Sequence, residues 1–125
     1  MARSYREPLV WQKAKALAVH TYSSTEEFPR KETYGLTSQM RRAAVSVVSN
    51  IAEGQGRLTV GEFVHFLGQA RGSLLELDTQ IEIANDLSYF DQKQNENLGE
   101  EVYQVLGLLN RLIESLRKRS ATLKP

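Results

Sequence analysis

Apolar residues recur along this chain at helical spacing, interrupted at three places by glycine, proline and polar clusters. Val10, Trp11, Ala14, Leu17, Ala18 and Tyr22 mark one face of a first helix. It is expected from about Pro8, a residue suited to a first helical turn, to Glu26. Phe28-Pro29 stops it, because the residue before proline disfavours the α region. A second helix is expected from about Thr37 to Glu53, with Thr37 or Ser38 as its cap. Leu36, Met40, Ala44, Val47 and Ile51 form its stripe, and Ala43, Val45, Val48 and Ala52 widen it. Gly54-Gln55-Gly56 should end it, with Gly54 in the left-handed conformation.

A third helix opens at the capping box Thr59-x-x-Glu62. Phe63, Phe66, Leu67, Ala70, Leu74, Leu77, Ile81 and Ala84 carry its stripe to about Asp86. Gly68 and Gly72 lie inside it, each costing roughly 1 kcal/mol against alanine, so a close neighbouring helix is expected there. A fourth helix starts at Asp91, with Gln94 at capping-box spacing. Leu98, Val102, Val105, Leu109, Leu112 and Leu116 step as the a/d seam of a bundle helix, leaving Leu106, Leu108 and Ile113 off the seam. No strand pattern competes. Short links imply antiparallel neighbours, hence an all-α, up-down-up-down four-helix bundle in one domain. Its ordered helices should span about 8–119, followed by a basic tail.

The second helix is unusual in being apolar nearly all round while built of small residues: Ala43, Ala44, Ser46, Ser49 and Ala52. Such a helix is buried on more than one side. Together with the off-seam residues of the fourth helix, it points to self-association.

Composition excludes several functions. The chain of 125 residues has no cysteine, so neither disulfides nor thiolate or Cys-type zinc chemistry arise. No apolar run approaches the ~20 residues of a membrane span. A soluble, cytoplasmic protein is expected. The net charge is +1, unevenly distributed. Residues 1–75 carry 10 basic and 6 acidic side chains, residues 76–110 carry 1 and 8, and residues 111–125 carry 5 and 1. Such segregation steers a subunit toward a copy of itself or toward a polyanion.

Candidate sites follow from this layout. Arg42, Ser46, Ser49 and Glu53 form a polar strip on the second helix. Arg42 either contacts a phosphate or a partner's carboxylate, or pairs with an acid such as Glu76 inside the bundle or at a subunit interface. An unpaired buried charge is too costly to leave alone. Glu76, Asp78, Glu82 and Asp86 read as a solvated acidic face that could also meet a basic neighbour. They are not a di-metal site, since no Glu-x-x-His occurs. His20 and His65 read as structural, and Ser46 and Ser49 as packing residues without a local base. No metal and no cofactor is expected. Arg3 and Arg6 precede the first helix, and Arg111, Arg117, Lys118, Arg119 and Lys124 close the chain. In this topology both termini share one pole, which would gather positive charge fit for phosphates.

The blocks LVWQKA, FPRKETYGLTSQMRRAAVSVVSNIAEG and FLGQARGSLLELDTQIEIA resemble the four-helix-bundle proteins encoded in intervening sequences of bacterial 23S rRNA genes. The resemblance extends to about Tyr89, with the fourth helix matching in pattern. It implies a small helical bundle assembling as a homopentameric ring. It also implies a fold similar to the basic, pentameric accessory protein of diversity-generating retroelements, which works with a reverse transcriptase and nucleic acid. For this chain the expected function is a non-enzymatic scaffold whose partners are itself and structured RNA or another nucleic acid. The alternative is a protein–protein adaptor with its acidic region 76–110 on a protein partner.

Overall fold

The computed structural model describes residues 8–123. Four helices follow in order: α1 Leu9–Thr25, α2 Leu36–Gln55, α3 Val60–Asp86 and α4 Gln92–Leu123, with a short 3-10 turn at Arg30–Glu32. No strand occurs among the described residues. Each helix packs on the next and α4 closes back on α1, while α1 and α3 make no contact and stand diagonally. The core runs through all four helices, from Val10, Ala14 and Leu17 through Met40, Val47 and Ile51 to Leu67, Leu74, Leu77, Leu98, Val105 and Leu109.

The helix ends show where local chemistry decides. Pro8 is extended (φ −60°, ψ 136°) and caps α1 through its carbonyl, which accepts from Trp11 and Gln12. At α3 the Thr59 hydroxyl oxygen accepts from the Glu62 amide at 3.1 Å and donates to the Glu62 carboxylate at 3.2 Å. At α4 the box is reciprocal: Asp91 Oδ1 accepts from the Gln94 amide, and Gln94 Oε1 accepts from the Asp91 amide. The end of α3 is a Schellman turn without glycine. Ser88 takes φ 62°, its amide reaches Asn85 O, and the Tyr89 amide reaches Ala84 O.

Four expectations need correction. Neither Thr37 nor Ser38 caps α2. The helix starts at Leu36, and Glu32 Oε1 accepts its amide at 3.1 Å. Gly54 is not left-handed. It is helical and buried, and a Cβ there would lie 3.0 Å from Phe63 Cδ1 and 3.1 Å from Phe66 Cβ. The close approach therefore belongs to Gly54 and not to Gly68 or Gly72, around whose absent Cβ atoms nothing lies within 4 Å. In α4 the buried seam passes through Ile113 and leaves Leu112 half-buried; Leu106 and Leu108 lie half-buried against the core and do not form an exposed patch.

Polar residues also enter the core. Thr21 and Thr25 on α1 are buried because each hydroxyl donates to a carbonyl four residues earlier, at 2.8 Å. Buried hydroxyls so satisfied carry little desolvation cost.

Glu32 ties three segments together. Its second carboxylate oxygen accepts from the Tyr89 hydroxyl at 2.8 Å, while Tyr89 and Phe90 pack on Phe28. The Tyr89 hydrogen bond, then the Leu36 amide, hold the Glu32 carboxyl below its ordinary value of 4.5, and the same bond raises the Tyr89 phenol above 10.0. A depressed carboxyl stabilises the fold above its unfolded pKa and loses that contribution as pH falls through the folded one. The raised phenol contributes below 10.0 and loses its share as pH rises through the folded value. Glu32→Gln should therefore be less stable than wild type at neutral pH, with the gap closing in acid. Urea denaturation of both proteins from pH 7 to pH 3 checks this, and a gap that stays constant would contradict it.

Candidate nucleic-acid interface

Leu9 and Lys13 line one groove with Asn110 and Arg111, so the start of α1 runs beside the late part of α4. The end of α2 and the start of α3 meet at Gly54 and Phe63. Val64 and Gly68 of early α3 line a second groove with Ile113, Arg117 and Lys118 of late α4. Both chain ends of the described fold thus share a pole with the α2–α3 link. This arrangement gathers cations whose sequence positions are far apart.

The second groove, between α3 and α4, is open and encloses about 790 Å³. Gly68 leaves its floor without a side chain, and Arg71, Arg117 and Lys118 stand along it. Arg71 Nε donates to Asn110 Oδ1 at 2.8 Å, which fixes the guanidinium between the two helices. Lys118 pairs with Glu114 at 3.1 Å on the same helix, both side chains exposed. An exposed i,i+4 pair contributes little to stability and leaves the ammonium available to an anion. Arg57, from the α2–α3 link, stacks on Phe66 at 4.5 Å and approaches Glu53 at 3.5 Å.

The residues singled out from sequence are divided by the structure. Arg117 and Lys118 belong to this groove, Arg119 is exposed on the next position, and Arg111 faces the α1–α4 groove instead, its guanidinium over Gly107. Arg3, Arg6 and Lys124 lie outside the described residues. Arg57 and Arg71 were not among the expected contacts. Arg71 sits beside the core residue Ala70 in a helix otherwise read for its apolar stripe, so only the packing of α4 beside it reveals its role.

Arg42 and Glu76 do not pair within the chain. Arg42 is exposed and makes no ion pair among the described residues; Glu76, also exposed, accepts from Gln80 Nε2 at 3.3 Å. The reason is the helix wheel: Arg42 lies on the side of α2 opposite Met40, Val47 and Ile51, and α3 packs on the latter. Its neighbour Arg41 does the structural work. Arg41 Nε donates to Thr25 Oγ1 at 2.9 Å and Nη2 to Tyr22 O at 3.2 Å, satisfying carbonyl and hydroxyl groups at the end of α1, where the helix dipole favours a cation.

Catalytic and metal chemistry find no assembled groups among the described residues. Ser46 Oγ and Ser73 Oγ share a hydrogen bond at 2.8 Å, and the third member is Asn50, which is no base. No three metal-ligating side chains converge among the described residues. His20 bonds Glu101 across α1 and α4, and His65 packs edge-on against Phe66. No helix among the described residues is long and apolar enough to cross a membrane.

Comparison with known proteins adds a family and a fold. A solved structure of a protein of unknown function from the S23 ribosomal protein family of Bacteroides thetaiotaomicron is similar in fold. The TM-score is 0.78 and the identity 20%, over 85% of this chain and 96% of that one. No curated protein matches the chain. The family model described as "23S rRNA-intervening sequence protein" matches residues 6–111, through α1, α2, α3 and most of α4. The chain belongs to the 23S rRNA-intervening sequence protein family.

Proposed function

We propose that the protein is a non-enzymatic, cytoplasmic scaffold that assembles into a homo-oligomeric ring, a pentamer by resemblance, and holds structured RNA at its basic pole. The observation that carries the RNA reading is an open groove lined by Arg71, Arg117 and Lys118, in which Glu114 is the one carboxylate among the described lining residues, with Arg57 presented from the α2–α3 link at the same pole. Phosphates need cations that are exposed and already positioned, and they need no reading of bases. Arg71 is positioned by Asn110, Arg57 by its stack on Phe66, and the last turns of α4 project Arg117 and Lys118. A ring repeats the pole once per copy, so modest charge per subunit becomes a crown of cations.

The measurement is a titration of a labelled RNA hairpin across salt concentration. Each neutralised phosphate contributes a slope of roughly −0.7 to −0.9 in log K against log salt. Micromolar or tighter binding with a slope of several units is expected. Replacing Arg117, Lys118 and Arg119 together by Gln should abolish it while leaving the native mass unchanged. Absence of binding at low salt would overturn the RNA reading and leave the adaptor reading, with the acidic stretch 76–110 as the surface to test.

A further inference from the structure

The side of α3 farthest from the core is not a solvent face by composition. Gly72, Leu75, Thr79 and Ile83 follow one another along it, with Leu75 40% and Ile83 45% exposed. No Lys or Arg occurs on α3 beyond Arg71, whereas Glu76, Glu82 and Asp86 flank this ridge. Across the bundle, α1 and α2 leave an apolar groove of about 360 Å³ lined by Val19, Tyr22, Val45 and Ser49. Its edge is cationic: Lys15 lines it, Arg41 lies over the Tyr22 ring at 4.7 Å, and Arg42 stands beside Val45. One chain therefore carries an acidic, apolar ridge and a basic, apolar groove, neither covered by its own helices.

We propose that the α3 ridge of one subunit docks in the α1–α2 groove of the next, giving a head-to-tail interface between copies of this chain. This rests on the ring-assembly reading above. Two surfaces that differ make a heterologous contact, which closes only as a ring or runs on as a filament. The register supports closure. Ser46 and Ser73 bond across antiparallel α2 and α3, which sets a common height. At about 1.5 Å per residue, Arg42 then lies level with the Leu77 region and Val45 with Leu74–Leu75. Copies related by rotation about an axis along the helices meet at equal height. Arg42 thus faces Glu76 of the partner subunit, Val45 faces the partner's Leu75, and Ser49 comes near the partner's Gly72. Gly72, whose absent Cβ meets nothing within 4 Å in its own chain, then receives a neighbour at close range, and Arg42 gains the carboxylate it lacks within the subunit.

The chain has no cysteine, so paired thiols report on the contact cleanly. Ser49→Cys and Gly72→Cys are made singly and together, both at exposed positions, and treated with a short bis-maleimide. The double variant is expected to give a covalent ladder up to the native copy number on a denaturing gel. Each single variant should give no covalent product, and the mixed single variants should give dimers only. An oligomer of unchanged mass whose double variant does not cross-link overturns this interface but not the ring. A single variant that cross-links to itself overturns it in favour of a two-fold contact. A wild type that is monomeric by light scattering overturns the ring reading itself.

Discussion

Leu74→Ala is expected to lower the free energy of unfolding by about 2–5 kcal/mol, the range for emptying a buried leucine site. Leu74 is fully buried in α3, the helix that packs on both α2 and α4. The loss has two sources. The transfer free energy of the missing methyl groups disappears, and the surrounding atoms lose contacts they cannot recover by moving. The core residues Leu67 and Leu77 sit on α3, whose start is fixed by the Thr59 cap, and Ile51 on α2, whose start is fixed by Glu32, so collapse into the space is limited. Against a total stability of about 5–15 kcal/mol this is a large fraction. Urea denaturation at one fixed protein concentration gives the number, since assembly would make the midpoint concentration-dependent. A loss below about 1 kcal/mol would mean that Leu74 is not packed as described.

The number of helices and most of the core could be read from the residues, because helical periodicity is set by burial and burial dominates this fold. Val10, Ala14, Leu17, Met40, Val47, Leu74 and Leu109 fall on the expected stripes and are buried. The boxes at Thr59 and Asp91 were equally plain, since each is a local interaction over three residues. What escaped reading is what depends on distant partners. Thr25 looks like a surface residue until Arg41 Nε, from α2, donates to its hydroxyl oxygen. The cap of α2 comes from Glu32, outside the helix and in a turn whose geometry Tyr89 helps to hold. Ser88 occupies a left-handed position that composition would assign to glycine. The candidate interface divides the same way. The basic end of α4 is visible as a charge run, but Arg71 joins it only through the packing of α3 on α4. Arg41 and Arg42 are adjacent and chemically identical. The 100° turn between them decides that one satisfies α1 and the other faces outward.

The same logic separates the glycines, and their replacement should give effects of opposite sign. Gly54→Leu is expected to destabilise by about 3 kcal/mol or more, at the upper end for overpacking. The Cβ alone would stand 3.0 Å from Phe63 Cδ1, 3.1 Å from Phe66 Cβ and 3.3 Å from Phe63 O. The Phe63 ring could rotate, but Phe66 Cβ and the Phe63 carbonyl move only with the backbone of α3. The strain therefore falls on the α2–α3 separation, and a side chain longer than Cβ adds atoms where none fit. Helix propensity acts the other way: leucine is favoured over glycine inside a helix by somewhat under ~1 kcal/mol, which offsets only part of the clash. Gly99→Ala isolates that opposing contribution. Nothing lies within 4 Å of its absent Cβ, and it stands inside α4. It should gain about 0.5–1 kcal/mol, mainly by restricting the unfolded chain. Thermal or urea unfolding of the two variants beside wild type tests the pair together. If both were stabilising, α2 and α3 would have to be farther apart at Gly54 than described, and the buried glycine would have no packing reason to be there. If Gly54→Leu alone loses stability, a close helix approach lies at the C-terminal end of α2. That is the same pole that presents Arg57 and the α3–α4 groove, so this close packing then supports the surface proposed to hold RNA.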